Sequence, residues 1–211
     1  MNVTPADNIH FYEPAKGHGL KHDPFNAIVG PRPIGWIGSR GANGNINLAP
    51  YSFFNAFNYK PPIIGFSTVA SRKDSLRNIE ESGEFTWSLA TKHIAQQMNK
   101  TSASVAPDVN EFAISGLTQA PSRLVKPPRV AEAYASFECK VTQILQLKTK
   151  EGADVPAWVV FGEVVAVYID KSMIKDGVYQ TANAHPILRA GRTGDYIEVR
   201  PDAMFEMPRP D

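Results

Sequence analysis

One cysteine, Cys139, is all that the 211 residues supply. An internal disulfide is excluded, and a reducing compartment, the cytoplasm, is the expectation. Blocks of like charge are missing too: 22 basic and 21 acidic residues are dispersed, for a formal net charge of +1. Nucleic-acid and membrane-surface partners call for clustered Lys and Arg, so neither is expected. No apolar run approaches the ~20 residues of a membrane span. Met1 to His10 lacks the basic-then-apolar order of a signal peptide. With no internal repeat, low-complexity tract or linker-like stretch, the chain reads as one domain, long enough for a sizeable core. His18 and His22 have the spacing of helical metal ligands, but Gly17 and Gly19 break a helix there. They read as loop histidines, and no metal site is expected.

What is present alternates like strands. Ile34 to Ser39 runs into Asn43-Gly44, a pair suited to the positive φ angles of a tight hairpin. A second extended run covers Ile46 to Asn58, and a third, Ile63 to Ser67, follows Pro61-Pro62. Asp74 to Ser82 reads as a short helix capped through Ser71-x-x-Asp74 and stopped by Gly83. Phe85, Trp87 and Leu89 share one face of a strand from Glu84 to Ala90, and Thr91 is placed to cap a second helix through Met98. Pro121, Pro127 and Pro128 mark an edge or loop. From Ala133 to Leu147 the odd positions are mostly apolar and the even ones polar, a strand with one buried face that includes Cys139 as a small core residue. Trp158 to Ile169 is apolar on both faces, and Tyr196 to Arg200 is a last short strand. About seven strands and two short helices predict an all-β fold with short helices, a closed or partly open antiparallel barrel.

Two stretches carry chemistry. At the helix start, Arg72 and Lys73 place cations beside free backbone N–H groups, with Ser67 and Ser75 as hydroxyl donors. An anionic group suits that place, although the pentapeptide alone reads rather as a solvated cation pair at a helix start. In Asn47-Leu48-Ala49-Pro50-Tyr51-Ser52, small side chains let a ligand approach the main chain, whose N–H and C=O groups can match a polar heterocycle. The alternative is an ordinary edge strand containing a proline. Phe53, Phe54 and Phe57 read as core or subunit interface. Rival motifs are lacking: neither G-x-G-x-x-G, nor a phosphate loop, nor G-x-S-x-G occurs.

Together these blocks, R-P-I-G-W-I, N-G-N-I-N-L-A-P-Y-S-F-F-N, P-P-I-I-G-F-S and K-D-S-L-R-N-I-E-E-S-G-E-F, resemble the flavin reductase-like family. The resemblance runs from about Asn26 to Val199 and implies an FMN-binding split β-barrel. It implies FMN contacts at Ser39, Asn47, Ala49, Pro50, Tyr51, Ser52, Phe66, Ser67, Arg72, Lys73 and Ser75. His185, in H-P-I, is implied near the open face of the flavin, against the reading of a structural histidine before proline. Asn99 and Thr101 are candidate lid contacts. Ala190 to Tyr196 departs from the family's Gly-Gly and Tyr pattern, which leaves its role open. The activity implied is NAD(P)H-dependent flavin reduction by a homodimer, with NADH or NADPH as donor and a monooxygenase or another protein as acceptor. The alternatives are a flavoredoxin-like electron carrier or FMN store, and a cofactor-free binding barrel.

Overall fold

The computed structural model describes residues 8–210. Its centre is one antiparallel sheet of seven strands in the order β2-β1-β5-β8-β9-β4-β3. A four-residue helix α1 (Phe25–Ile28) precedes it. β1 (Gly35–Arg40) and β2 (Ile46–Tyr51) make the expected hairpin, where Gly44 (φ +90°), not Asn43, takes the left-handed conformation. The run expected to continue to Asn58 divides instead. Arg32 Nε donates to the Ser52 carbonyl (3.2 Å), and the Ser67 N–H donates to the Phe53 carbonyl (2.8 Å). These bonds turn the chain, so β3 (Phe54–Tyr59) leaves β1 and pairs with β4 (Pro62–Val69). β2 and β3 thus become the two free edges of the sheet, although two residues separate them in sequence. The sheet curls until Tyr51 on β2 meets Phe66 on β4, with ring centroids 4.9 Å apart. This is a barrel split at one seam.

The interior holds Ile37, Ile64, Phe66, Phe85, Trp87, Cys139 and Val160, closed at one end by Leu76 and Ile79 of α2 (Asp74–Ser82). β5 (Glu84–Ser88) follows α2 after Gly83, which stops the helix in the left-handed conformation (φ 68°). A second core covers the outside of β1 and β2. There Trp36 and Leu48 pack with Met98 of α3 (Ala95–Lys100) and Phe112 of α4 (Glu111–Ser115). Thr91 precedes a 3-10 turn, Lys92–Ile94, and its hydroxyl is engaged with His93 Nδ1, so α3 starts later than the expected helix. Short hairpins pair β6 (Gln119–Ala120) with β7 (Arg129–Val130), β10 (Ile174–Lys175) with β11 (Val178–Tyr179), and β12 (Ile187–Arg189) with β13 (Tyr196–Glu198).

β8 (Ala135–Lys148) and β9 (Asp154–Ile169) depart from simple alternation. A register shift at Val141/Gln143 changes the phase of β8, so Leu145 and Leu147 are exposed while Ile144 is half-buried. Glu138, on the face expected to be polar and solvated, is fully buried. The proline-bearing loop folds over it, and its carboxylate accepts from the N–H groups of Arg123 (2.7 Å), Leu124 (2.6 Å) and Val125 (3.1 Å) and from the Tyr168 hydroxyl. Burial alone would raise its pKa; the Tyr168 and backbone hydrogen bonds outweigh that and hold it below the usual carboxylate range. A depressed carboxylate stabilises the fold above its ordinary pKa, and that contribution is lost as pH falls. Glu138→Gln should lower the urea-unfolding free energy at pH 7 by about 2–3 kcal/mol. The gap between variant and native protein should narrow below about pH 4. An unchanged unfolding midpoint at pH 7 would refute this role for Glu138.

Candidate functional site

α2 begins without a side-chain cap. Its N-cap is Lys73, and the expected Ser71-to-Asp74 box does not form because Asp74 pairs with Arg77. The N–H groups of the first turn therefore remain open to a ligand, at the positive end of a nine-residue helix. Lys73 lines a cleft of about 260 Å³ beside this turn and has no ion-pair partner among the described residues. Arg72 is turned away. Its guanidinium pairs with Glu80 and lies over the Trp158 ring, 5.7 Å from the centroid. The two adjacent cations have different environments, and only Lys73 faces the cleft.

The opposite wall is the free edge of β2. Along an antiparallel strand, a residue's N–H and C=O leave on the same side, and the sides alternate. The Leu48 N–H donates to Glu111 Oε2 (3.1 Å), so Ile46, Leu48 and Pro50 turn these groups away from β1. Pro50 has no N–H, and on this side its absence breaks no ladder bond. Of these outward groups the Pro50 carbonyl lies at the cleft, while Leu48 is 1% exposed and its N–H is taken by Glu111, whereas the sequence had suggested both amides and carbonyls. Asn47, Ala49, Pro50 and Tyr51 line the cleft together with Lys73, Asp74 and the segment from Thr101 to Val105.

Glu111 lines the cleft as well. It is 4% exposed, at the first position of α4, and burial raises its pKa above the usual range against the hydrogen bonds from its own N–H and that of Leu48. Asn47 lies between Glu111 and Ser75. With its amide nitrogen toward Glu111 Oε1 (3.0 Å), its oxygen accepts from the Ser75 hydroxyl (2.7 Å). Burial pushes the Tyr51 phenol up to about 12, with the Ser75 hydroxyl lowering it and the Glu111 charge raising it, so Tyr51 is neutral at physiological pH. Local pattern could not reveal this carboxylate: a Glu opening a helix after Asn110 ordinarily faces water. The partner it needed, the Leu48 N–H, is 63 residues away.

Past Pro50 and Ser102 the cleft opens into a second hollow of about 220 Å³. Asn99 and Ser52 border it, with Arg189, Thr193 and Tyr196 of the β12–β13 hairpin. The open question over Ala190 to Tyr196 is answered in part: this segment forms the rim. Other expected residues lie apart. Ser39 is fully buried and accepts from Asn78 Nδ2 (3.2 Å). Phe66 is buried, and with Ser67 it borders a separate hollow near Arg32 and Phe53. Thr101 lines the cleft while its hydroxyl accepts from Trp36 Nε1 (3.0 Å) and donates to the Met98 carbonyl (2.7 Å). His185 is outside the cleft lining, with its Nδ1 2.7 Å from Glu198 Oε1.

A strand edge with an outward carbonyl, a cation free of acidic partners and an uncapped helix start fit a flat heterocycle that bears an N–H and ends in phosphate. Comparison with known proteins agrees. The family model for the flavin reductase like domain matches residues 30–187. An uncharacterized protein of Aquifex aeolicus is 33% identical over 178 residues, 82% of this chain and 86% of its own. The structure of nitrilotriacetate monooxygenase component B from Bacillus cereus covers 98% of both chains, with a TM-score of 0.81 and 25% identity. That of a 2-nitrobenzoate 2-nitroreductase from Pseudomonas fluorescens has a TM-score of 0.76 and 28% identity, covering 87% of this chain and 88% of its own. The matched residues contain the β2 edge, the start of α2 and Glu111, and on that ground the chain belongs to the flavin reductase-like family of split-barrel flavoproteins.

Proposed function

We propose that this protein is an FMN-dependent oxidoreductase that takes hydride from NADH or NADPH. The observation that carries this reading is the pairing, in one cleft, of the β2 edge at Ala49 and Pro50 with Lys73 and the uncapped start of α2. The β2 edge at Ala49 and Pro50 would hold the ring. Lys73 and the first-turn N–H groups would take the phosphate, and the pairing of Asp74 with Arg77 would lessen the nearest repulsion. Tyr51 offers a neutral hydroxyl, and the Thr101 to Val105 segment keeps water from one side. When bound, FMN supplies the capacity to accept a hydride and pass electrons onward. That chemistry needs two rings held in contact rather than a strong acid or base. The hollow between Pro50 and the β12–β13 hairpin leaves room for the donor. His185 serves here as a positioning residue, its ring and Glu198 joining the start of β12 to β13.

Dimerisation belongs to the same proposal. β3 is a free sheet edge, and Phe57 and Tyr59 on it are 59% and 82% exposed, an apolar surface suited to a second copy. Onward delivery to a monooxygenase in the cytoplasm completes the reading, supported by the likeness to the Bacillus cereus component B.

Two measurements test it. Lys73→Ala should weaken FMN affinity by about ten- to a hundredfold, as for a lost charge-assisted hydrogen bond. Arg72→Ala should change it by less than about threefold, because that side chain serves Glu80 and Trp158. Equal losses in both variants would move the phosphate elsewhere. Anaerobic mixing of the FMN-loaded protein with NADH or NADPH should bleach the flavin within seconds. A flavin that stays oxidised would leave an electron carrier or FMN store.

A further inference from the structure

We propose that Lys92 selects NADPH over NADH by binding the 2′-phosphate at the adenosine end of the donor. This deepens the proposed function and rests on it. The groove that begins at the start of α2 continues past the second hollow. A third hollow, of about 410 Å³, adjoins the second through Asn99, Thr193 and Tyr196 and has no lining residue in common with the cleft. The three spaces therefore follow one another: the cleft with Lys73, the hollow beside Pro50, and an outer hollow between the β12–β13 hairpin and the stretch from Lys92 to Asn99. A donor whose nicotinamide lies beside Pro50 has its inner end fixed there. Its adenosine end then leads away from β2, and the outer hollow lies on that side.

Two cations line the outward part of the groove, Arg189 in the second hollow and Lys92 in the third, and no Asp or Glu lines either. They are not equivalent. Arg189 holds the hairpin loop: Nη1 donates to the Asp195 carbonyl (3.3 Å), Nη2 donates to the Thr193 carbonyl (2.5 Å), and the guanidinium lies 4.9 Å from the Tyr196 ring centroid. Lys92 is fixed through its backbone instead. Its N–H donates to the His185 carbonyl (2.9 Å), and Thr91 beside it pairs with Pro186, just before β12. The Lys92 side chain is exposed and has no ion-pair partner among the described residues. The carboxylates of this region are engaged elsewhere: Asp195 with Arg192, Glu198 with His185, and Glu132 with the Thr118 N–H (2.9 Å).

Nicotinamide, both riboses and the pyrophosphate are common to the two donors. They differ only in the 2′-phosphate, a monoester that carries close to two negative charges near neutral pH. A choice between them is therefore made by what stands at the adenosine end. A compact ammonium with three rotatable donors, in a hollow without acids, attracts that extra charge and makes charge-assisted hydrogen bonds to its oxygens. Gln96 and Asn99 line the same hollow with amides that can meet the adenine edge, which both donors present alike.

Calorimetric titration of the FMN-loaded protein with NADP+ and with NAD+, in which no hydride moves, reads the preference directly. Native protein should bind NADP+ about tenfold more tightly than NAD+ at low ionic strength. That ratio should shrink as salt is added, because an exposed charge is screened. Lys92→Ala should bring the ratio to about one, Lys92→Glu should invert it, and Lys92→Arg should preserve it. In flavin bleaching, Lys92→Ala should raise the KM for NADPH by about tenfold and that for NADH by less than about threefold, with kcat nearly unchanged, since the lost contact is the same in ground and transition states.

FMN affinity should be equal in native protein and all three variants. Its loss in Lys92→Ala would make the residue part of the fold and overturn the assignment. Equal affinity of native protein for NADP+ and NAD+, or an equal loss of both in Lys92→Ala, overturns the role of Lys92 while the oxidoreductase reading stands. A flavin left oxidised by both donors overturns the selection and the reading on which it rests.

Discussion

The arrangement depends on one unpaired strand edge. β2 closes a hairpin with β1, but the seam beyond it is never sealed by β3, its neighbour in sequence. An exposed edge has to be satisfied or covered, since its N–H and C=O groups otherwise invite pairing with another chain. Here the cover is chemical. Glu111 takes the Leu48 N–H, and Pro50, which has none to offer, lines a cleft. The split in the barrel is therefore also where the cleft lies.

Two buried carboxylates show how environment decides what such a group does. Glu138 receives four hydrogen bonds, three from consecutive backbone N–H groups, and they overcome the cost of burial. It stays ionised and ties a proline-bearing loop to the sheet. Glu111 has fewer donors, and burial prevails, raising its pKa. The first carboxylate ties down a loop, and the second lines the cleft.

Much of the fold was legible because strand alternation and turn residues act locally. The β1–β2 hairpin, the helix from Asp74 to Ser82 and its stop at Gly83 all follow from nearest-neighbour preferences. The division between Tyr51 and Phe54 was not, because it is imposed by Arg32 and Ser67, which bond Ser52 and Phe53 from either side in sequence. The phase change in β8 was hidden for a similar reason: bulges are set by register against β9 rather than by β8 itself. Asn47, Ala49, Pro50, Tyr51 and Lys73, singled out by small-residue and cation patterns together with the family resemblance, line one cleft. Arg72 was indistinguishable from Lys73 until Glu80 and Trp158 claimed it. Glu111, Arg189 and Tyr196 reach the cleft and its adjoining hollow only through tertiary contacts.

The central claim is that a flavin lies between the β2 edge and the start of α2, ring on that edge and phosphate on Lys73. A crystal structure of the protein grown with excess FMN tests it most directly. The account predicts ring density beside Ala49 and Pro50 and phosphate density within hydrogen-bond reach of the Lys73 ammonium and the Ser75 N–H. Flavin density confined to another hollow, or a phosphate held by Arg189 with the α2 start left bare, would contradict it.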